Sequence, residues 1–394
     1  MKIGVIGSRG FPEIQGGIET HCMELYTRLA GMGNHQITIY RRRPYLNSKN
    51  KNASFRNIKF IDLRVPKSKS LETLLHSFFS TLHALFQNYD IVHFHNTGPG
   101  FFIPLLKMLR TKVVFSYHNV SYTQKKWNFA ARWFLSFSEV VSMNNADFII
   151  FISDIIRAEM EKKYQIGKYS VIFNGVCLPE KSTRFDYLEQ LGLQKNKYVI
   201  GVGRFLEEKG FDYLINAFRK ANPTEYRLVL VGDTDYPTEY SDKLKSLAKK
   251  NNVVLTGFIK GEKLNQVFSF ARLFVMSSFQ EGLPIALLEA MSYNIDVLVS
   301  DIPANLQIGL AGDDYFRVGD EKSLHDSIVR KLSNGSTRSF DEILSNKFNW
   351  DKIVLETSAI YESLFSKDET HMFPKHKHNS NKISNMRVSS DFKN

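Results

Sequence analysis

Lys2-Ile3-Gly4-Val5-Ile6-Gly7-Ser8-Arg9-Gly10-Phe11-Pro12, followed by Gln15-Gly16-Gly17-Ile18-Glu19, is the stretch on which the fold turns. A short apolar run breaks into a glycine-bearing loop, and apolar residues then recur at Ile18, Cys22, Leu25 and Leu29, the spacing of a helix. Strand, loop and helix in that order open a parallel α/β sheet. Outward from it, strand-like runs recur at residues 36–40, 58–63, 91–94, 113–117 and 148–152, with helical spacing between them. A second series at 198–202, 227–231, 253–255, 273–276 and 297–300 predicts a second parallel α/β domain. The boundaries read as a first domain over 1–176, a polar linker over 177–196 and a second domain over 197–348. Residues 349–366 carry helical periodicity through Ile353, Leu355, Ile360 and Leu364, and 367–394, rich in Lys, His, Asn and Ser, is expected to be disordered.

A chain of 394 residues exceeds one ordinary core, which agrees with two domains. Only Cys22 and Cys177 are present and no charged-then-apolar leader opens the chain, so a cytoplasmic protein is expected. The apolar runs at 101–106 and 148–152 are far too short to span a bilayer. The net charge of +12 is uneven: residues 1–180 hold 23 Lys/Arg against 12 Asp/Glu, and the remainder is nearly neutral. A basic face attracts phosphate in nucleic acid, anionic lipid or a lipid diphosphate, and charge alone does not choose among them. Near Lys107, Arg110, Lys112, Lys125, Lys126 and Arg132 stand Phe101, Phe102, Trp127, Trp133 and Phe134, a mixture suited to peripheral contact with an anionic membrane. An aromatic core under a solvated basic surface would read the same way.

Ligands of open α/β sheets bind beyond the carboxyl ends of the strands, so the loops there carry the chemistry. Glu281 follows the strand-like run 273–276 and precedes Gly282-Leu283-Pro284-Ile285, where Pro284 suits the first turn of a helix that carries Glu289. Glu289 then lies about 7.5 Å along the helix axis from Pro284, a separation that lets one ribose- or pyranose-bearing ligand donate hydroxyl hydrogen bonds to both carboxylates. A random pair of glutamates would be solvated, but the residues around these two are apolar. In the loop Gly203-Arg204-Phe205-Leu206-Glu207-Glu208-Lys209-Gly210, Arg204 and Lys209 can neutralise a departing diphosphate without a metal. Gly16 and Gly17 let a helix start approach phosphate. His118, at a strand end before Asn119, is a candidate sugar contact. His93 and His95 share a strand face at metal-like spacing, yet with no third ligand evident they read as cleft lining, and Asp233-Thr234-Asp235 reads as a chance D-x-D. A dinucleotide loop needs G-x-G-x-x-G, whereas Gly7, Arg9 and Pro12 occupy those places; only Arg41, Arg42 and Arg43, where an NADP 2′-phosphate would sit, speak for it.

Gly16-Gly17-Ile18-Glu19, His118, Gly203-Arg204 with Lys209-Gly210, and Glu281 with Glu289-Ala290-Met291 resemble the retaining, nucleotide-sugar-dependent glycosyltransferases of the GT-B fold, over residues 1–366. The Gly7–Pro12 loop and Ser300-Asp301-Ile302-Pro303-Ala304-Asn305 are similar to bacterial cell-surface polysaccharide transferases, rhamnosyltransferases among them. The resemblance implies two Rossmann-like doubly wound parallel-sheet domains facing across a cleft, with the terminal helix crossing back to the first. It implies a nucleotide-diphosphate sugar donor as substrate, no cofactor and no metal, and a saccharide or lipid-linked saccharide acceptor met in the cytoplasm or at the inner face of the membrane. Arg204 and Lys209 would hold the diphosphate, Glu289 the ribose, Glu281 with Gly282, Leu283, Pro284 and Ile285 the transferred sugar, Gly16 and Gly17 the phosphates, and His118 the anomeric region. Asn294 and Asp296 stand where the family usually has Gly and Pro, Gln307 where it has Glu, and Cys177 where Asp is common. Asn294 and Gln307 are expected near the nucleotide pocket. The rival readings are a sugar-nucleotide epimerase of the same shape, an NADP-binding enzyme, and a non-catalytic basic binding protein.

Overall fold

The computed structural model describes residues 1–48, 50–68, 71–109, 111–119, 129–221, 224–234, 237–334 and 338–366. Lys125, Lys126, Trp127, Arg110, Asp235 and the tail 367–394 lie outside the described residues. Seven parallel strands form the first sheet: β1 (Lys2–Ile6), β2 (Gln36–Arg42), β3 (Ile58–Leu63), β4 (Ile91–His95), β5 (Lys112–Tyr117), β6 (Phe148–Phe151) and β7 (Tyr169–Val171), in the order β3-β2-β1-β4-β5-β6-β7. Six more form the second: β8 (Tyr198–Val202), β9 (Arg227–Val231), β10 (Val254–Gly257), β11 (Leu273–Met276), β12 (Asp296–Ser300) and β13 (Tyr315–Phe316), in the order β10-β9-β8-β11-β12-β13. Both orders reverse direction beside the sheet's first strand, between β1 and β4 and between β8 and β11. Those reversals are the crevices at which doubly wound sheets take ligands. The fold is therefore the expected pair of Rossmann-like sheets facing across a cleft.

Strands buried on both faces need continuous apolar runs, and β4, β6 and β11 are buried at every residue. β7 and β13, absent from the strand reading, are three and two residues long at sheet edges and too short to show a period. Within 177–196 the helix Asp186–Gln190 buries Tyr187 and Leu188, and the Tyr187 amide donates to Gln266 at 2.9 Å, so this polar segment is packed on the second sheet's side.

The helix Trp350–Ser363 packs against the first sheet, with Trp350, Ile353, Val354, Ile360 and Tyr361 sharing a core with Ile3, Cys22 and Leu25. Leu355, read as part of the buried stripe, is 60% exposed and Val354 takes its place, because three-four spacing from Trp350 and Ile353 runs through 354 and 357. Each large apolar side chain buried there contributes about 1.5–3 kcal/mol. Gly175 permits the approach: a Cβ on it would stand 2.6 Å from the Trp350 ring. Among the described residues no helix is long and apolar enough to cross a membrane.

Candidate active site in the interdomain cleft

A cavity of about 1240 Å³ lies between the two sheets, and Gly16, Gly17, His118, Arg204, Lys209, Glu281, Gly282, Leu283, Pro284, Ile285 and Glu289 all line it. Sequence positions more than 270 apart thus reach one space. The reason is topological: each lies on a loop or helix start following β1, β5, β8 or β11, at the carboxyl ends of parallel strands.

From the first domain, Gly16 (φ 149°) caps the helix Gly17–Gly31, and a Cβ there would lie 1.9 Å from the Glu19 carboxylate. From the second, Pro284 caps the helix Ile285–Ser292, one residue earlier than a first-turn position. Both helix starts line the cavity, so unsatisfied amides and two positive dipole ends face the same space. They are close neighbours: a Cβ on Gly17 would lie 3.2 Å from Ile285 Cδ1.

The Lys209 ammonium donates to Glu281 Oε1 at 2.6 Å, and Ser278 Oγ donates to the same oxygen at 2.6 Å. The pair is mostly buried, so Lys209 is held at the cavity wall by the very carboxylate that faces it. The tight turn beneath requires glycine, since Gly210 has φ 61° and a Cβ would stand 2.5 Å from the Ser277 carbonyl oxygen. Glu289 lines the cavity from a helix whose Leu287, Leu288, Ala290 and Met291 are buried, and this burial pushes its carboxyl up to about 7.

His118 is buried but for its cavity edge, and its Nε2 lies 2.9 Å from His95 Nδ1. Tyr26 Oη lies 2.6 Å from His95 Nε2 and 2.8 Å from His93 Nδ1, which meets Tyr361 of the terminal helix at 2.6 Å. Burial lowers the pKa of His93, His95 and His118 well below the usual histidine value, so His118 presents a neutral imidazole. His93 and His95 are therefore not cleft lining: both are fully buried behind His118, under Tyr26 and Tyr361. His21, overlooked in the sequence, joins them, and ring nitrogens of His21, His95 and His118 lie within 4.8 Å of one another. Asn96 was also overlooked. It ends β4 with φ 74°, lines the cavity and leaves its buried Oδ1 without a partner among the described residues. Its signal was present, an Asn at the strand end where the sheet reverses.

Four contacts hold the cleft walls together. Gly282 sits so close to the first domain that a Cβ would lie 2.3 Å from the His118 carbonyl oxygen. Lys260 pairs with Glu13 at 3.0 Å, Ser153 Oγ donates to Gln307 at 2.8 Å, and Gly17 faces Ile285. Gln307 does not itself line the cavity but lies beside it, bonded to cavity-lining Ser153 and Ala304, and Asn294 does not line it. Gln307 is drawn off by Ser153, and Asn294, with φ 51°, occupies a left-handed position and accepts from the Phe340 amide at 2.9 Å. Asp296 pairs with buried Lys331 at 2.7 Å. Of the arginines proposed for a 2′-phosphate, Arg41 and Arg42 belong to β2 and are held in ion pairs, Arg41 on Asp62 at 2.7 Å and Arg42 on Glu72 at 2.8 Å, both guanidiniums buried, although Arg42 and Glu72 also line the cavity. Asp233 pairs with Lys245 at 2.8 Å.

Two facing Rossmann-like sheets with a polar clamp in the cleft define a GT-B glycosyltransferase. Family models agree: Glycosyltransferase Family 4 matches residues 15–178 and Glycosyl transferases group 1 matches residues 184–340. The chain is 26% identical over 314 residues to an uncharacterized 41.2 kDa protein in the cps region of Klebsiella pneumoniae, covering 75% of this chain and 84% of that one. It is 26% identical over 236 residues to the O-antigen chain mannosyltransferase RfbU of Salmonella typhimurium, covering 57% and 64%. Sucrose-phosphate synthase from Thermosynechococcus elongatus superposes with a TM-score of 0.79 at 22% identity, covering 92% of this chain and 99% of that chain. Anabaena HepE in complex with UDP and glucose does so at 0.73 and 17%, covering 92% and 100%. The chain belongs to the group 1 and family 4 glycosyltransferases of the GT-B fold.

Proposed function

We propose that this glycosyltransferase moves a hexose or deoxyhexose, rhamnose among the candidates, from a nucleoside-diphosphate donor to a saccharide or lipid-linked saccharide acceptor, with retention, in cell-surface polysaccharide assembly. The observation that carries the reading is the convergence of Arg204, Lys209, Glu281 and Glu289 on one cleft wall, opposite Gly16, Gly17 and His118. The cps and O-antigen relatives support the polysaccharide setting, and UDP in HepE supports a nucleotide donor.

Donor entry splits the Lys209–Glu281 pair. The diphosphate takes Lys209 and Arg204, while Glu281, still oriented by Ser278, accepts hydroxyls of the transferred sugar. Glu289 accepts the ribose hydroxyls. The helix starts at Gly17 and Ile285 lie against the phosphates. As the sugar–phosphate bond breaks, its electron pair goes to the leaving oxygen, whose charge Arg204 and Lys209 neutralise in place of a metal. The acceptor hydroxyl attacks from the face the diphosphate vacates and gives its proton to the leaving phosphate, so retention needs no protein nucleophile. Neutral His118 contacts the sugar near the anomeric carbon without adding charge. The reaction takes place in the cytoplasm or at the inner membrane face, with no cofactor.

The test begins with thermal shifts in UDP-, GDP-, dTDP- and ADP-sugars, where a cognate donor at many times its Kd stabilises by a few kcal/mol. With that donor, Arg204→Ala with Lys209→Ala should abolish transfer while the free protein still folds, at a melting temperature lowered by the loss of Lys209 from mostly buried Glu281. Near-normal turnover sinks the mechanism, and an inverted product anomer by NMR sinks retention. Donor consumption without transfer would make the protein an epimerase.

A further inference from the structure

Two helices of the first domain carry aromatic side chains outward. On the helix Phe129–Asn145, Phe129, Trp133 and Phe137 fall at four-residue spacing on one face, and Phe129 is 85% and Trp133 64% exposed. On the helix Leu71–Ala84, Phe78, Phe79 and Leu82 are exposed, and Phe86 just beyond it is 76% exposed. The two stripes are joined through Phe101 and the buried ring of Phe102. Ring contacts run from Phe79 to Phe78 (5.4 Å), Phe102 (5.7 Å) and Phe101 (5.1 Å), then to Phe137 (6.1 Å) and Trp133 (5.7 Å). A contiguous apolar face of this kind marks an interaction site. It leads to the cleft, because Phe134, 5.2 Å from Phe101, and Leu71 both line the cavity.

Charge selects the occupant. The only carboxylates on the two helices, Glu72 and Glu139, are buried, Glu72 against Arg42 and Glu139 against Tyr117 and Tyr164. What is left exposed is basic: Arg132 stands on the stripe itself, and Arg64 rims a shallow groove lined by Phe79, Leu82 and Phe86. A second copy would set this basic face against itself, whereas an anionic bilayer complements it. We infer that the face carrying Phe78, Phe86, Phe129 and Trp133 docks on an anionic bilayer interface, its aromatic rings at headgroup depth, and so brings the cleft mouth to a membrane-borne acceptor. The inference rests on the proposed lipid-linked acceptor and names the surface that meets it.

The experiment is flotation of the full chain with vesicles of phosphatidylcholine alone and of phosphatidylcholine mixed with phosphatidylglycerol. Wild type should float with the anionic vesicles, less so at high salt. Phe86→Ser with Phe129→Ser and Trp133→Ser should weaken binding at least about tenfold, since these rings supply the apolar contact. Arg64→Glu with Arg132→Glu, a second variant that leaves the rings in place, should remove the preference for anionic vesicles. Absence of wild-type flotation, or flotation of both variants equal to that of wild type, overturns the inference. A concentration-dependent dimer that the triple variant abolishes also overturns it, by assigning the face to a second copy. The thermal shift given by the nucleotide-sugar panel separates the two readings. If the shift persists without vesicle binding, only the docking surface fails, and if vesicles bind without any donor shift, the donor reading fails instead.

Discussion

Glu289→Gln should make the free protein more stable and its donor affinity worse. Burial raises the Glu289 carboxyl from 4.5 to about 7, so between those values the folded state binds a proton that the unfolded chain has released. Stability must then fall as pH rises through that window. A shift of this size corresponds to about 3.4 kcal/mol of strain in the ionised folded state, and the carboxyl's opening to the cavity reduces it to about 1–2 kcal/mol. Glutamine keeps the shape and removes the charge. At pH 8 the variant should therefore melt about 3–6 °C above wild type, and by pH 5, where the wild-type carboxyl is itself mostly protonated when folded, less than about a third of that gap should persist. The same substitution replaces a doubly accepting carboxylate with one carbonyl acceptor. Hydrogen bonds to a charged group contribute about 1.5–3 kcal/mol, so affinity for the nucleotide should drop at least about tenfold. Thermal unfolding at the two pH values, with calorimetric titration of the cognate nucleotide at pH 8, reads both effects. A variant destabilised equally at both pH values, or one with unchanged nucleotide affinity, would refute the assignment.

Gly282→Ala places a methyl group where the His118 carbonyl oxygen stands 2.3 Å away, so the cleft cannot reach this closed arrangement. Turnover should fall about 100-fold, with nucleotide affinity and melting temperature nearly unchanged; wild-type turnover would show that closure to this contact is not required. Lys331→Met leaves Asp296 and Asp314, each 1% exposed at the side chain, without the cation they share at 2.7 and 2.6 Å. The loss should be about 3–5 kcal/mol, visible as a lower denaturant midpoint with an unchanged slope, and an unmoved midpoint would mean that Arg272 and Arg338 suffice.

Legibility of the chain divided along range of interaction. β1 to β6 and β8 to β12 were readable because their apolar residues form local runs, unbroken where both faces are buried, as in β4, β6 and β11, and interrupted by exposed Lys59 and Asp62 in edge strand β3. β7 and β13 were not, since two or three residues at a sheet edge are specified by their neighbours. The clamp residues were readable because each ends a strand or opens a helix in a local motif. The histidine network was not: His93 and His95 were visible as a pair, but His21 and Tyr361 meet them only once the helices Gly17–Gly31 and Trp350–Ser363 pack together. The same limit hid the partner of Gln307, since Ser153 comes from the opposite domain.

Lys209 and Glu281 show why the two domains must act together. In this structure the ammonium and the carboxylate satisfy each other at 2.6 Å, with Ser278 as the third member. A bare phosphate would have to separate them and leave Glu281 facing the space alone, at the full desolvation cost of a buried unpaired carboxylate. A ligand that brings phosphate to Lys209 and hydroxyls to Glu281 in one molecule avoids that cost. On the proposed function, the ion pair would therefore discriminate for an intact sugar nucleotide over either half. The opposite wall adds what the pair lacks, because the helix start at Gly17 and the backbone of His118 reach Ile285 and Gly282 only where the sheets face each other. On the proposed function, donor recognition would reside in the second domain and commitment to transfer in the contact between the two.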